Sequence, residues 1–168
     1  MEKTIKELSY YVKPGNLFVC WEPYKLATVL GSCVAVCLID PVTKVSGMSV
    51  FAFPKLKSDK FHTFYANYSI PKLLDMMYNL GANKYNLQAH IVGGAYSSKY
   101  LSKDFGKKNV EVAVKLLNKN KISIVNNDTG GTFGRKIVFD TSCGEIIVYK
   151  SNNIREKDWY DHKSFNYR

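Results

Sequence analysis

One cysteine of this sequence stands in a setting suited to covalent catalysis. Residues 28–41 read TVLGSCVAVCLIDP, so Cys33 directly follows Gly31 and Ser32 at the start of an apolar run. A thiolate can attack a carbonyl carbon, a glycine lets backbone and substrate approach closely, and nearby N–H groups can stabilise an oxyanion. The alternative is a buried strand thiol, since free cysteine is among the most buried residue types. Spacing alone favours the buried thiol.

The spacing of the other cysteines and of the histidines excludes some classes of catalytic and metal site. The chain has no C-x-x-C pair, and its histidines are scattered, whereas zinc sites normally have closely spaced ligand pairs, so we expect no metal site. No G-x-S-x-G elbow is present, which argues against a serine hydrolase. Cys37 shares a strand face with Cys33 and is expected in the core. The candidate bases for Cys33 are His62, His90 and His162.

Length and composition indicate an ordinary globular protein. With 168 residues, 46% hydrophobic and 23% charged, the chain is expected to form a single domain over 1–168. No apolar run approaches the length of a membrane span, and the first residues, MEKTIKELSYYVKPG, lack the apolar region of a signal peptide. We therefore expect a cytoplasmic protein with reduced thiols and no membrane insertion.

The net charge of +10 is compatible with nucleic acid, an anionic surface or an acidic protein as partner. The lysines are spread along the whole chain, without a dense block. No aromatic RNA-binding motif or zinc-finger spacing accompanies them. We expect a solvated basic surface and no nucleic-acid binding.

Apolar runs predict an α+β fold with more strands than helices. Helices are predicted at 70–80, with Ser69 as cap, Pro71 in the first turn and Gly81 after the end, and at about 108–119. The glycine pairs in VGGAY and DTGGTFGRK are expected to be turns, and TSCG is expected to join a hairpin through Gly144. Strands are predicted at 16–20, 34–39, 47–53, 87–93, 122–126, 136–140 and 145–150.

Five segments in order resemble the CheD family of chemoreceptor glutamine deamidases. They are TVLGSCVAVCLIDP, SGMSVFAFP, AHIVGGAYS, FGKKNVEVAVKLL and IVNNDTGGTFGRKIVFDTSCGEIIVYK, within a core of about 14–150 that precedes a tail at 151–168. The resemblance implies two packed β-sheets flanked by helices (α/β/β/α), as in the catalytic domain of cytotoxic necrotizing factor toxins. It also implies a cytoplasmic enzyme that converts receptor glutamines to glutamates.

The family resemblance also implies roles and partners. Cys33 would be the nucleophile that forms a thioester with loss of ammonia, Thr28 would be the upstream catalytic threonine, and Gly31 and Ser32 would bind substrate. No cofactor is implied. The implied partners are the cytoplasmic domains of chemoreceptors and a CheC- or CheX-type phosphatase of CheY.

One position departs from the family pattern. The resemblance implies a catalytic histidine in the strand after the cysteine hairpin, in a pattern like G-M-x-H with a proline four residues after the histidine. Here that strand reads GMSVFAFP, and counting back from Pro54 places Val50 at the histidine position. Valine cannot accept or donate a proton. The chain is then an impaired deamidase kept as a binding partner, or His90 acts instead from a strand next to GMSVFAF, or the histidine has been substituted in this chain.

Overall fold

Two β-sheets form the framework of the protein. The computed structural model describes residues 7–56 and 62–160. One sheet has the strand order β1-β3-β8-β9 and the other β2-β5-β4-β6-β7. The strands are β1 (Leu8–Tyr11), β2 (Leu17–Cys20), β3 (Tyr24–Leu30), β4 (Val34–Ile39), β5 (Ser46–Phe51), β6 (Gln88–Gly93), β7 (Ser123–Thr129), β8 (Gly134–Asp140) and β9 (Glu145–Ser151).

The alternation of side chains along β4 defines the layers. Strand β4 is central in the five-stranded sheet, between β5 and β6, and all its residues are buried. Ala35 and Cys37 pack in the core between the two sheets, together with Leu26 of β3 and Phe139 of β8. The intervening valines and leucine of β4 pack in a second core, which the helices cover. A continuous apolar run is what a strand buried on both faces requires.

Both α-helices cover the five-stranded sheet. Helix α1 (Ala66–Asn79) packs on β5 and β2, and helix α2 (Phe105–Lys119) packs on β6. The far side of the other sheet is contacted near Val29 by a segment that contains the 3₁₀ helix Glu156–Asp158. The predicted α+β class, with two packed sheets flanked by helices, is confirmed.

The start of α1 differs from the prediction for a physical reason. Ser69 lies inside the helix, buried, where its hydroxyl hydrogen-bonds to that of Ser49 on β5. It therefore cannot cap the helix, whose N-cap residue is Tyr65, and Pro71 falls beyond the first turn. Gly81 does follow the helix end and has a φ of +99°, as predicted. Helix α2 begins three residues early because the Asp104 carboxylate accepts from Lys107 N at 3.0 Å.

The seven predicted strands are present, and two further strands complete the fold. The hairpin of β8 and β9 forms as predicted, with Gly144 at φ +80°. The sequence analysis missed β1 and β3. In β3 the inward residues include a threonine and the outward ones include alanine and valine, so the polar and apolar alternation is blurred. Strand β3 matters most, because it leads directly into the Cys33 turn.

Gly106 should resist replacement although it lies in a helix. A Cβ there would stand 2.3 Å from the Gly94 oxygen and 2.6 Å from that of Ala95. Alanine normally stabilises a helix by about 1 kcal/mol relative to glycine. We expect Gly106→Ala instead to lower the free energy of unfolding by about 1–3 kcal/mol, as overpacking does. Urea unfolding measures this.

The matched control is Asn118→Ala, at an exposed site of the same helix. Helix propensity makes that change neutral or slightly stabilising. A Gly106→Ala protein as stable as the parent would show that the two backbones can separate.

Candidate active site

The turn that carries Cys33 joins β3 to β4 and is held by its carbonyl groups. The N–H of Ala95 donates to the Gly31 oxygen at 3.0 Å, and that of Gly94 donates to the Cys33 oxygen at 2.8 Å. Both donors belong to the loop after β6, where Gly94 has a φ of +66° that favours glycine. The VGGAY turn predicted from the sequence is thus the support for the thiol.

Asn109 holds the middle of the turn, and the sequence analysis missed it. Its Nδ2 donates to the Ser32 oxygen at 3.1 Å and to the Ala52 oxygen at 2.8 Å, and the residue is fully buried on α2. Helix α2 therefore ties the turn to the segment just after β5. The sequence did contain a signal for it, because Asn109 lies four residues from both Phe105 and Ala113 and therefore falls on the buried face of the helix.

The N–H groups of the turn are left available. Within the described ranges, no residue accepts a hydrogen bond from the backbone N–H of Ser32 or Cys33. Buried N–H groups are nearly always paired in folded proteins. Two unpaired donors beside a thiol form the arrangement that stabilises a developing oxyanion.

Unpaired side-chain atoms gather around the same turn. Thr28 is buried on β3, two residues before Leu30, and its Oγ1 is without a partner. The Oδ1 atom of Asn109 and the Nε1 atom of Trp159 are also buried and unpaired, and both residues touch the turn. Among the described residues the one other such atom is His90 Nδ1. Each such group requires an explanation, and a catalytic role is one of them.

The Cys33 thiol is fully buried, which raises its pKa well above the ordinary value. Burial is the larger cause, and the negative charge of Asp158 adds to it. Cys37 lies in the same core between the sheets, as predicted, and burial also raises the pKa of its thiol. In this closed form Cys33 is therefore a neutral thiol at neutral pH.

The first part of the tail packs over the turn. Ser32 Oγ donates to the Tyr160 oxygen at 3.4 Å, and a Cβ added to Gly31 would stand 2.5 Å from the Asp158 oxygen. The Trp159 ring stacks on Tyr100 with centroids 5.8 Å apart. Residues 161–168, including His162, lie outside the described part of the chain.

The described ranges contain neither a metal-binding cluster nor a spanning helix. No group of three or more His, Cys, Asp and Glu residues within 7–56 and 62–160 is arranged to hold a metal ion. No helix of those ranges is both long and apolar enough to cross a lipid bilayer.

Comparison with known proteins gives one consistent family. The family model "CheD chemotactic sensory transduction" matches residues 53–150. A Methanococcus maripaludis protein named as a probable chemoreceptor glutamine deamidase CheD is 38% identical over 148 residues, covering 86% of this chain and 96% of the relative. A Sulfurimonas denitrificans protein of the same name is 35% identical over 142 residues, covering 82% and 91%. The chain belongs to the CheD family.

Val50, where the resemblance leads us to expect the histidine, lies beside the thiol in this fold. Val50 is buried in the core between the sheets, as Cys33 is, and it pairs with Ala35. Cys33 is two residues from Ala35 and is therefore a diagonal neighbour of Val50, at about 7–8 Å between Cα atoms. A longer side chain at position 50 could reach the thiol, but valine offers no base.

His90 does not take the place of that histidine. Strand β6 neighbours β4 and not β5, so the expectation that it adjoins GMSVFAF is wrong. His90 pairs with Cys37, which is about 13 Å along the strand from Cys33. Its Nε2 is 2.9 Å from the Gly144 oxygen, and burial lowers its pKa. His62 precedes α1, with its ring 5.1 Å from that of Phe64.

Asn109→Leu tests the clamp on the turn. The change keeps the side-chain volume and removes both donors, and each buried carbonyl left without one costs about 1–3 kcal/mol. We expect the free energy of unfolding to fall. We also expect faster native-state hydrogen exchange at the amides of Gly94 and Ala95, which bind the same turn.

Ser69→Ala is the control for the clamp. It breaks the buried Ser49–Ser69 bond between β5 and α1, away from Cys33. It should lower stability without selective exchange at those two amides. Equal exchange in the two variants would mean that Asn109 is no more than a general stabiliser.

Alkylation of Cys33 should be slow and steeply dependent on pH. The thiolate is the reacting form, so the rate rises tenfold per pH unit until the pKa is reached. Because burial raises the pKa of Cys33, its rate in the native protein should still be rising above about pH 9, where an ordinary thiol with a pKa of about 8.5 levels off. Peptide mass spectrometry measures the rate, with urea-unfolded protein as reference. Rapid labelling near pH 6 would reveal an activating group.

Proposed function

We propose that this chain is a protein-glutamine glutaminase that acts on the cytoplasmic domains of chemoreceptors, in the cytoplasm, through Cys33. The names of its relatives provide the substrate class, since they are described as probable chemoreceptor glutamine deamidases. The observation that carries the proposal is the Cys33 turn, whose carbonyl groups are all bound while two of its N–H groups have no acceptor among residues 7–56 and 62–160.

The proposed reaction is hydrolysis of a side-chain amide in two steps. Cys33 Sγ attacks the carboxamide carbon of a receptor glutamine, and the N–H groups of Ser32 and Cys33 stabilise the oxyanion. The intermediate collapses to a thioester, and the amide nitrogen leaves as ammonia with the thiol proton. Water then attacks the thioester, which releases glutamate and restores the thiol.

The polar groups near the turn have assigned roles in this proposal. Gly31 and Ser32 contact the substrate backbone, because a glycine permits close approach. Thr28 Oγ1, buried and unpaired on the inner face of β3, hydrogen-bonds to the substrate carboxamide. Asn109 keeps the turn in place and does not touch the reacting atoms.

The absence of a base at position 50 predicts a slow enzyme. A positioned acid or base contributes about 10²–10⁴-fold in rate, and valine contributes none of it. The raised pKa of Cys33 lowers the thiolate fraction further. The enzyme therefore depends on the oxyanion donors and on substrate positioning.

Ammonia release from receptor cytoplasmic fragments tests the proposal. We expect slow release by the natural protein, with glutamines converted to glutamates in the fragment. Cys33→Ala should abolish it, and Cys37→Ala, at the other buried thiol of β4, should not. Conversion that survives Cys33→Ala would exclude this thiol as the nucleophile.

A second candidate function is an adaptor without catalysis. Val50 at the histidine position and a fully buried thiol favour it. The adaptor would bind a CheC- or CheX-type phosphatase of CheY, or the receptors themselves. Ammonia release from receptor cytoplasmic fragments separates the two functions, because an adaptor would bind the fragments without converting their glutamines.

Val50→His should restore the missing proton carrier. The new imidazole would lie diagonally across from Cys33, within reach of Sγ. We expect the Cys33-dependent rate to rise by at least about tenfold, the low end of what a positioned base supplies. Some stability should be lost, because a polar ring replaces a buried apolar side chain.

The double variant Val50→His with Cys33→Ala should be inactive, which ties the gain to the thiol. His90→Ala serves as the matched histidine control and should leave the rate unchanged. If Val50→His folds and gains nothing while His90→Ala abolishes activity, His90 is the base.

A further inference from the structure

The C-terminal segment, residues 154–160, covers the face of the turn that a substrate must reach. The Asp158 oxygen and the Trp159 ring lie so close to Gly31 that a Cβ there would be 2.5 Å from the first and 2.9 Å from the second. The Tyr160 oxygen accepts from Ser32 Oγ. The negative charge of Asp158 also acts on the Cys33 thiol and raises its pKa.

Two side chains anchor this segment to the body. Ile154 is 5% exposed and packs so closely on Gly134 that a Cβ there would stand 2.1 Å from its Cγ1. Trp159 is 7% exposed and stacks on Tyr100. The two well-buried anchors are thus one aliphatic and one aromatic side chain, and the partly buried Tyr160 adds packing against the core between the sheets.

The remaining bonds of the segment are mostly internal. The N–H of Asp158 donates to Arg155 and that of Trp159 to Glu156, which closes the 3₁₀ turn. Arg155 forms its ion pair with Asp158, three residues ahead. The segment can therefore lift away from the turn without breaking a β-ladder, since β9 ends at Ser151.

One buried polar atom destabilises the arrangement in which the segment covers the turn. Trp159 Nε1 is buried without a partner, and a buried donor left unpaired opposes burial of the ring. Contacts of this kind hold a segment in place while leaving the open form accessible in energy.

We propose that residues 154–160 form a strap that closes the Cys33 site in the resting protein, and that the substrate polypeptide must displace the strap to bring a glutamine to the thiol. The identity of the displacing chain rests on the proposed function. The closure does not, because it follows from the contacts of the strap with Gly31 and Ser32, the two residues that precede Cys33.

Selective alkylation in the full-length chain tests the closure. Trp159→Ala removes the aromatic anchor, and we expect Cys33 to react with iodoacetamide at least about tenfold faster. Trp159→Phe keeps a stacking ring and should stay within about twofold of the natural protein. Cys37 is equally buried but lies four residues further along β4, so its rate should not change. Peptide mass spectrometry reads both thiols in one sample.

Leu117→Ala controls for general loosening. Leu117 is buried between α2 and the five-stranded sheet, away from the strap. Truncation of this side chain should raise the alkylation rates of Cys33 and Cys37 by similar factors. If Trp159→Ala also accelerates both thiols equally, or leaves Cys33 as slow as before, the strap does not close the site.

Deamidation assays separate this proposal from the proposed function. With receptor cytoplasmic fragments as substrate, Trp159→Ala should lower KM with little change in kcat, because a closed site reduces apparent affinity by the fraction that is open. If Cys33 of Trp159→Ala is labelled rapidly but no ammonia is released, the closure of the site by the strap is supported and the deamidase function is refuted. Rapid labelling with an unchanged KM would refute competition between strap and substrate.

Discussion

The hydrogen bonds that bind the carbonyl groups of residues 31–33 are the constraint on which the site depends. They come from two different elements, the loop after β6 and helix α2. The loop can approach only because Gly94 and Gly106 let two backbones meet without side chains. Once the carbonyl groups are bound in this way, the N–H groups of Ser32 and Cys33 stand beside the thiol with no acceptor in the described part of the chain. Fold and chemistry are therefore linked through one close packing contact.

Burial gives this thiol two opposing properties. A water-free site strengthens every electrostatic interaction with a developing oxyanion. The same burial, together with the charge of Asp158, disfavours the thiolate that must attack. A histidine at position 50 would resolve the conflict by accepting the proton inside the site. With valine there, arrival of the substrate has to change the surroundings of Cys33, and displacement of Asp158 would remove a negative charge that raises the pKa of the thiol.

The sequence predicts those parts of this protein that depend on a single run of residues. The buried strand β4, the core position of Cys37, the hairpin at Gly144 and the family motifs all follow from short local patterns. Contacts between distant segments do not. Asn109 resembles a polar residue on a helix until α2 is packed against the turn, and Ser69 resembles a cap until its partner Ser49 is known. His90 was misplaced for the same reason, since strand order was not readable from the sequence.

Cys33 and Cys37 are similar thiols whose different positions on the sheet give them different roles. Both are fully buried, both face the core between the sheets, and burial raises the pKa of both thiols. Cys37 sits within a ladder whose neighbours satisfy its backbone, so it can only pack. Cys33 stands where the ladder ends, where backbone donors become available and a removable segment replaces a strand as the cover. A thiol in the middle of a sheet is structural because no substrate can reach it. The thiol at the turn between β3 and β4 lies instead behind a segment of tail, residues 154–160, that a substrate can displace.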